Sequence, residues 1–224
     1  MTGSKMTRRD CIASALNAAA WLALPGQSRG ATPLPAGASR QLVVMGDSLS
    51  AEYGLKRGSG WVALLQARLA AAKPPVAVIN ASISGDTTAG GLARLPDVLK
   101  THRPSHLLIE LGANDALRGL PLATTEANLR AMVGAARAAG AHVMLIGMQV
   151  PPNYGPQYTR DFSALYERVA KTEKAALVPF LLKGIADDQD ALRWFQADRI
   201  HPNEAAHPRL LDNVWAVLKP WLPA

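Results

Sequence analysis

A three-layer α/β/α sandwich around a five-stranded parallel sheet is predicted by two features of the chain. From residue 41 onward, apolar runs of strand length alternate with longer segments of helical period, and those runs are too continuously apolar for strands with one face in water. Such alternation requires parallel strands joined by right-handed helical crossovers, which cover both faces of the sheet. A length of 224 residues suits a single domain with an ordinary core, and 49% hydrophobic against 18% charged residues marks a globular chain without low-complexity tracts or repeats.

The elements follow in order. Strands are expected at "QLVVMG" (41–46), "VAVIN" (76–80), "HLLIEL" (106–111), "HVMLIGMQV" (142–150) and "ALVPF" (176–180). The first crossover, "SGWVALLQARLAAAK", places Trp61, Leu64, Leu65 and Leu69 on one side and ends before Pro74-Pro75. Another, "TTEANLRAMVGAARAAG", opens with Thr and Glu and stops at Gly140. Further helices are expected within 86–100, 157–174 and 203–219.

Residues 1–38 read differently. "KMTRRD" precedes the apolar "CIASALNAAAWLALPG" and the Pro-rich "QSRGATPLPAGAS", the pattern of a signal peptide and linker, with cleavage expected at about 30–38 and one domain over 39–224. Ser28-Arg29-Gly30 and Ala36-Gly37-Ala38 both offer small residues for cleavage, and Arg8-Arg9 leaves Sec and Tat export both open. Ser14 and Asn17 interrupt the run, which is short for a permanent span, so no stable membrane anchor is expected. The one cysteine, Cys11, falls in this segment, so the expected mature chain holds no disulfide, thiolate metal site or cysteine nucleophile.

The formal net charge of +7 does not indicate nucleic acid. Residues 1–40 hold five basic side chains against Asp10 alone, and the rest of the chain has nineteen basic against sixteen acidic residues without a basic stripe.

In a parallel sheet of this kind ligands sit beyond the carboxyl ends of the strands, so the residues following each strand carry the chemistry. The first strand ends in "VVMGDSLS", which presents Ser48. Gly85 follows the second, Asn114 the third, and "ADRIHPN" near the end of the chain supplies Asp198 and His201. A serine needs a base within hydrogen-bond reach, and that base needs a third group to orient it. Asp198, three residues before His201, can fold back through a tight turn to take the imidazole Nδ1 proton and leave Nε2 for Ser48. Donors for an oxyanion are available from the backbone N–H groups of Ser48 and Gly85 and from the amide of Asn114. Singly, each residue has an ordinary structural explanation: an N-cap for Ser48 or Asp47, a turn for Gly85, a loop for Asn114-Asp115, a surface turn for His201. Together, at four edges of one sheet, they suggest acyl-transfer chemistry.

These blocks resemble the SGNH or GDSL family of serine hydrolases. "NASISGDTTAGGLARLPDVL", "LIELGANDALRG" and "DRIHPNEAA" are similar to its periplasmic thioesterase I, lysophospholipase and arylesterase subgroup over about residues 41–222, with Ala113 as a departure. The G-x-S-x-G elbow of larger α/β-hydrolases is absent. The resemblance implies a flavodoxin-like fold, Ser48, Asp198 and His201 as catalytic residues, and Ser48, Gly85 and Asn114 as oxyanion hole. It also implies that the loops 116–122 and 150–158 contact the acyl group, through Leu117, Val150, Pro152 and Tyr154. The expected activity is hydrolysis of carboxylic esters or acyl thioesters through an acyl-enzyme, by an exported monomer whose partner is a small-molecule ester or thioester, with no nucleic acid partner, cofactor or metal. A carbohydrate O-deacetylase and a non-catalytic binding protein on the same fold are the alternatives. His102, His106, His142 and His207 match no metal or catalytic pattern, and Trp215 and Trp221 read as packing residues.

Overall fold

Five strands, β1 (Gln41–Gly46), β2 (Ala77–Asn80), β3 (His106–Glu110), β4 (His142–Ile146) and β5 (Ala176–Val178), form one all-parallel sheet in the order β2-β1-β3-β4-β5. The structure, a computed structural model, describes residues 40–222. The expectations for 1–38, including Cys11 and the signal-like run, lie outside those residues. Helices α1 (Trp61–Ala70), α2 (Thr88–His102), α3 (Ala113–Leu117), α4 (Leu122–Ala138), α5 (Pro156–Glu173) and α6 (His207–Leu218) fill the connections and the end of the chain.

The strand order reverses at β1. The chain leaves β1 toward β2 on one side and later builds β3, β4 and β5 on the other, so right-handed crossovers put α1 on the opposite face from α2, α4 and α5. The packing agrees: α4 lies against both α2 and α5, and α1 lies against α6. Ser48 follows the strand at which the order reverses, the place where open α/β sheets bind ligands beyond their strand ends.

Helical spacing explains which faces are buried. Leu129, Met132, Val133 and Ala136 form the inner stripe of α4, and Phe162, Leu165, Tyr166 and Val169 that of α5. The central strands β1 and β3 are buried almost throughout, as expected for strands covered on both faces.

The remaining strands depart from the expectation. In β2 only Val78 is fully buried, with Ala77 and Asn80 exposed, because it is an edge strand. β4 ends at Ile146 rather than running to residue 150. Its neighbour β5 stops at Val178: the Gly147 N–H still donates to the Val178 carbonyl at 2.8 Å, but the Gly147 carbonyl accepts from Leu181 at 2.9 Å, one residue out of the parallel register. Met148 and Val150 are nonetheless buried, so the apolar run reflected burial and not strand. The loop expected at 116–122 contains the end of α3, and α4 begins two residues early, at Leu122, with Pro121 as its N-cap.

Candidate active site

β1 delivers its last residues into a tight turn. Gly46 is required there because a Cβ would lie 2.7 Å from Glu110 Oε2 and from the Ser50 side chain. The Asp47 carboxylate accepts the Leu49 N–H at 3.0 Å, and the Ser50 and Ala51 N–H groups donate to the Asp47 carbonyl, so the chain curls and leaves Ser48 half-buried at the rim. Among the described residues no protein acceptor takes the backbone N–H of Ser48 or Gly85. Gly85 has φ +78°, a left-handed conformation that disfavours any side chain.

The Asp198–His201 turn meets this loop from the far end of the chain. Asp198 Oδ1 accepts the backbone N–H groups of Ile200 and His201 at 2.9 and 3.0 Å, and its Oδ2 lies 2.7 Å from His201 Nδ1. His201 Nε2 stands 2.9 Å from Ser48 Oγ. The turn requires a left-handed Arg199 at φ +58° and is closed by an antiparallel bridge between Phe195 and Pro202. The Gln196 side-chain amide ties it to the nucleophile loop, its Nε2 donating to the Tyr53 carbonyl at 2.8 Å, and the centre of the Tyr53 ring lies 4.4 Å from that of the imidazole. The two backbone donors first, and the imidazole as well, hold the Asp198 carboxyl down at about 2, so it stays anionic beside the histidine.

Asn114 is held from two directions. Its Nδ2 donates to Asp47 Oδ2 and to the Asp86 carbonyl, both at 3.0 Å. The next residue, buried Asp115, accepts from the backbone N–H of Thr88 at 2.8 Å and from the hydroxyls of Thr88 and Thr125, which fixes α3 against α2 and α4. Arg94 braces the Gly85 loop through Asp86, at 2.8 Å, and the Ala81 carbonyl. Arg118 Nη2 donates to the carbonyl of Gly85 at 2.7 Å.

Beneath the nucleophile loop lies Glu110, the one ionisable residue of the "HLLIEL" run after its histidine. Its Oε2 accepts the Asp47 N–H at 3.2 Å and the Ser50 hydroxyl at 2.8 Å, while its buried Oε1 has no partner. Burial, with the Asp47 carboxylate adding to it, pushes the Glu110 carboxyl well above the usual range, so it keeps its proton to higher pH than an ordinary glutamate. Burial raises Asp47 as well, to about 6, against the bond from Leu49.

The structure brings Ser48, His201, Asp198, Asn114 and the Gly85 loop to one edge. The four candidate acyl-contact residues are less uniform. Leu117 is exposed, Val150 is buried with the core, Pro152 opens a short 3-10 turn to Tyr154, and Tyr154 stacks on Tyr158 with ring centres 5.7 Å apart. The supporting roles of Asp47, Glu110 and Arg118 were not anticipated from sequence, although a lone acid inside a buried strand was a signal for Glu110. His207 is buried and structural, since its Nδ1 accepts the Trp61 N–H at 3.0 Å.

The GDSL-like Lipase/Acylhydrolase family matches residues 44–209. The chain is 55% identical over 185 residues to esterase TesA of Pseudomonas aeruginosa, covering 83% of this chain and 90% of that protein. It is 41% identical to the thioesterase 1/protease 1/lysophospholipase L1 of Escherichia coli, covering 83% and 86%. The crystal structure of psychrotrophic esterase EstA from Pseudoalteromonas sp., inhibited by monoethylphosphonate, superposes with a TM-score of 0.75 at 41% identity, covering 81% of this chain and 98% of that one. With the sheet, the four edges and these similarities together, the chain belongs to the GDSL-like lipase/acylhydrolase family, a family of hydrolases.

Proposed function

We propose that this chain hydrolyses carboxylic esters and acyl thioesters with Ser48 as nucleophile, His201 as general base and acid, and Asp198 as the group that orients it. The observation that carries the reading is the continuous chain from Ser48 Oγ to His201 Nε2 at 2.9 Å and from His201 Nδ1 to Asp198 Oδ2 at 2.7 Å. His201 takes the Ser48 proton as Oγ attacks the acyl carbon, and the carbonyl π electrons move to oxygen. The oxyanion is received by the N–H groups of Ser48 and Gly85 and by Asn114. One Asn114 N–H turns to it from Asp47, which exchanges one anionic acceptor for another. Collapse breaks the bond to the leaving oxygen or sulfur, which takes the proton from His201. Water then repeats the sequence on the acyl-enzyme, with His201 as base, and releases the acid.

The similarity to an esterase and a thioesterase/lysophospholipase supports an acyl substrate with a loosely specified leaving group. On this reading Leu117, Val150, Pro152 and Tyr154 shape the acyl side directly or by packing beneath it. The signal-like N-terminal segment supports export. A series of aryl esters of increasing acyl length tests the proposal. Each added methylene that is buried contributes about 0.8 kcal/mol, so kcat/KM is expected to rise roughly four-fold per carbon over the first few and then level off. A flat series together with preference for an acetylated sugar would replace this reading with the deacetylase.

A further inference from the structure

Two of the three proposed oxyanion donors hang on one short loop. Residues 81–86 lead from β2 toward α2, and their first half is stitched to the nucleophile strand: the Ala81 N–H donates to the Val44 carbonyl at 2.8 Å, the Ile83 N–H to the Gly46 carbonyl at 3.0 Å, and the Gly46 N–H to the Ser82 hydroxyl at 3.0 Å. The second half turns back on itself, where the Asp86 N–H donates to the Ile83 carbonyl at 3.1 Å and Gly85 takes φ +78°. Residue 85 supplies one donor as its backbone N–H, and residue 86 supplies the carbonyl that receives Asn114 Nδ2 at 3.0 Å. A shift of this turn therefore moves both donors together.

Arg94, on the second turn of α2, closes that loop. Its Nε donates to Asp86 Oδ2 at 2.8 Å and its Nη1 to the Ala81 carbonyl, so one planar guanidinium ties the last residue of the loop to the first. Both side chains are shielded, with 20% of Arg94 and 10% of Asp86 exposed. Helix stability does not account for the arrangement. Thr87 already caps α2 by accepting the Gly90 N–H, an ion pair taken out of water returns little net stability, and Arg94 Nη2 is buried with no partner among the described residues. What the pair fixes is geometry. Arg118 also reaches this loop, at the Gly85 carbonyl, but from an exposed position where water competes.

We infer that Arg94 is a positioning residue for the oxyanion hole, acting through Asp86: it holds the turn that carries the Gly85 N–H and the carbonyl that aims Asn114, while its own hydrogen bonds go to neither Ser48, His201 nor Asp198. The inference rests on the esterase reading above, and it adds which side chain, away from the reacting atoms, keeps two donors in place. Donors fixed in advance act on the charge that develops in the transition state, so the effect of Arg94 belongs to kcat and not to KM.

The test compares the parent, Arg94→Met and Arg94→Lys on one aryl ester, each also in an Asn114→Ala background. Arg94→Met is expected to lower kcat roughly ten- to a hundred-fold with KM changed less than about two-fold, the scale on which a small misplacement far from the chemistry is felt. In the Asn114→Ala background, where one of the two donors is already gone, the same substitution is expected to cost at least about three-fold less, because groups that act as a unit are not additive. Arg94→Lys keeps the charge beside Asp86 but cannot span Asp86 and Ala81 in one planar fork, so its kcat is expected between those of the parent and Arg94→Met. Urea unfolding shows whether each variant folds, and Arg94→Lys carries the comparison if Arg94→Met does not. Apart from turnover, the Gly85 backbone amide and the Asn114 side-chain amide are expected to shift in the amide NMR spectrum of either variant. A loss confined to KM, an equal loss in both backgrounds, or Gly85 and Asn114 resonances that stay at their parent positions would overturn the inference. A parent that hydrolyses no ester overturns the esterase reading instead, and the resonances then still report whether Arg94 holds the turn.

Discussion

At the scale of single residues, the site depends on groups whose orientation or charge state is fixed by burial or by hydrogen-bond partners. Asn114 is the clearest case, because its amide is already satisfied by Asp47 and Asp86 and needs only to turn one N–H toward an oxyanion. Asn114→Ala is expected to lower kcat by roughly 10²–10³ with a smaller change in KM, since the donor acts mainly in the transition state. Steady-state kinetics on one aryl ester separate the two; a change confined to KM would make Asn114 a ground-state contact. Glu110 offers a pH prediction. Its folded-state pKa lies well above the ordinary 4.5, so from about that pH upward the folded chain holds a proton that the unfolded chain releases. Stability therefore falls as pH rises through that window. Glu110→Gln keeps the neutral shape and an acceptor for Ser50 and Asp47, so its urea midpoint is expected to gain on the parent's progressively above pH 4.5. A constant gap at all pH values would mean that Glu110 is not the proton-holding group. Ser48, Gly85, Asn114, Asp198 and His201 could be picked out in sequence because each follows an apolar run or closes a short turn. Asp47 and Glu110 could not be assigned, because their behaviour arises from a contact across 63 residues that no local spacing encodes.

At the scale of elements, the alternation of runs and helical stripes was enough to place all five strands and the main crossovers, since periodicity follows burial directly. It failed where burial and hydrogen bonding part company: β4 stops four residues before its apolar run does, because beyond Val178 the adjoining segment slips out of register and Leu181 takes the Gly147 carbonyl. What closes the start of α1 was hidden, although its place was not. Gly60 supplies no cap, and the Trp61 N–H is instead received by His207 Nδ1 at 3.0 Å, 146 residues away. Burial lowers the His207 pKa below 6.5, and the accepting Nδ1 requires the neutral ring. The unfolded chain then binds the proton more readily, so this bond's contribution is complete above about pH 6.5 and is lost as pH falls below it. His207→Ala is expected to cost about 1–2 kcal/mol at pH 8, the size of a lost cap, with the difference from the parent shrinking on acidification. Denaturant melts at several pH values read it, and a difference that grows toward low pH would contradict the assignment. Gly112 marks a second element boundary. At φ +120°, with the Tyr166 hydroxyl filling the space of a Cβ and donating to Leu111 O at 2.9 Å, Gly112→Ala is expected to destabilise by about 1–3 kcal/mol and to displace Asn114, which a melt combined with kcat resolves. A variant as stable and active as the parent would show that the loop relaxes freely.

At the scale of the whole molecule, the fold brings together residues that the chain keeps far apart. His201 and Ser48 are separated by 153 positions, and they meet only because β1 lies at the reversal of strand order and the final turn folds back over its end. On the proposed reading, reactivity at Ser48 is a property of the folded molecule and not of the local sequence "GDSL", which in an unfolded chain offers an ordinary hydroxyl. The measurement that tests this most directly is intact-mass and peptide mapping after exposure to a fluorophosphonate, with native protein, protein unfolded in urea and the Ser48→Ala variant compared. One adduct is expected in the native protein, located on Ser48 and formed in step with loss of esterase activity, and none in the other two samples. An inactivating adduct on a different serine, or turnover that survives in Ser48→Ala, would contradict it.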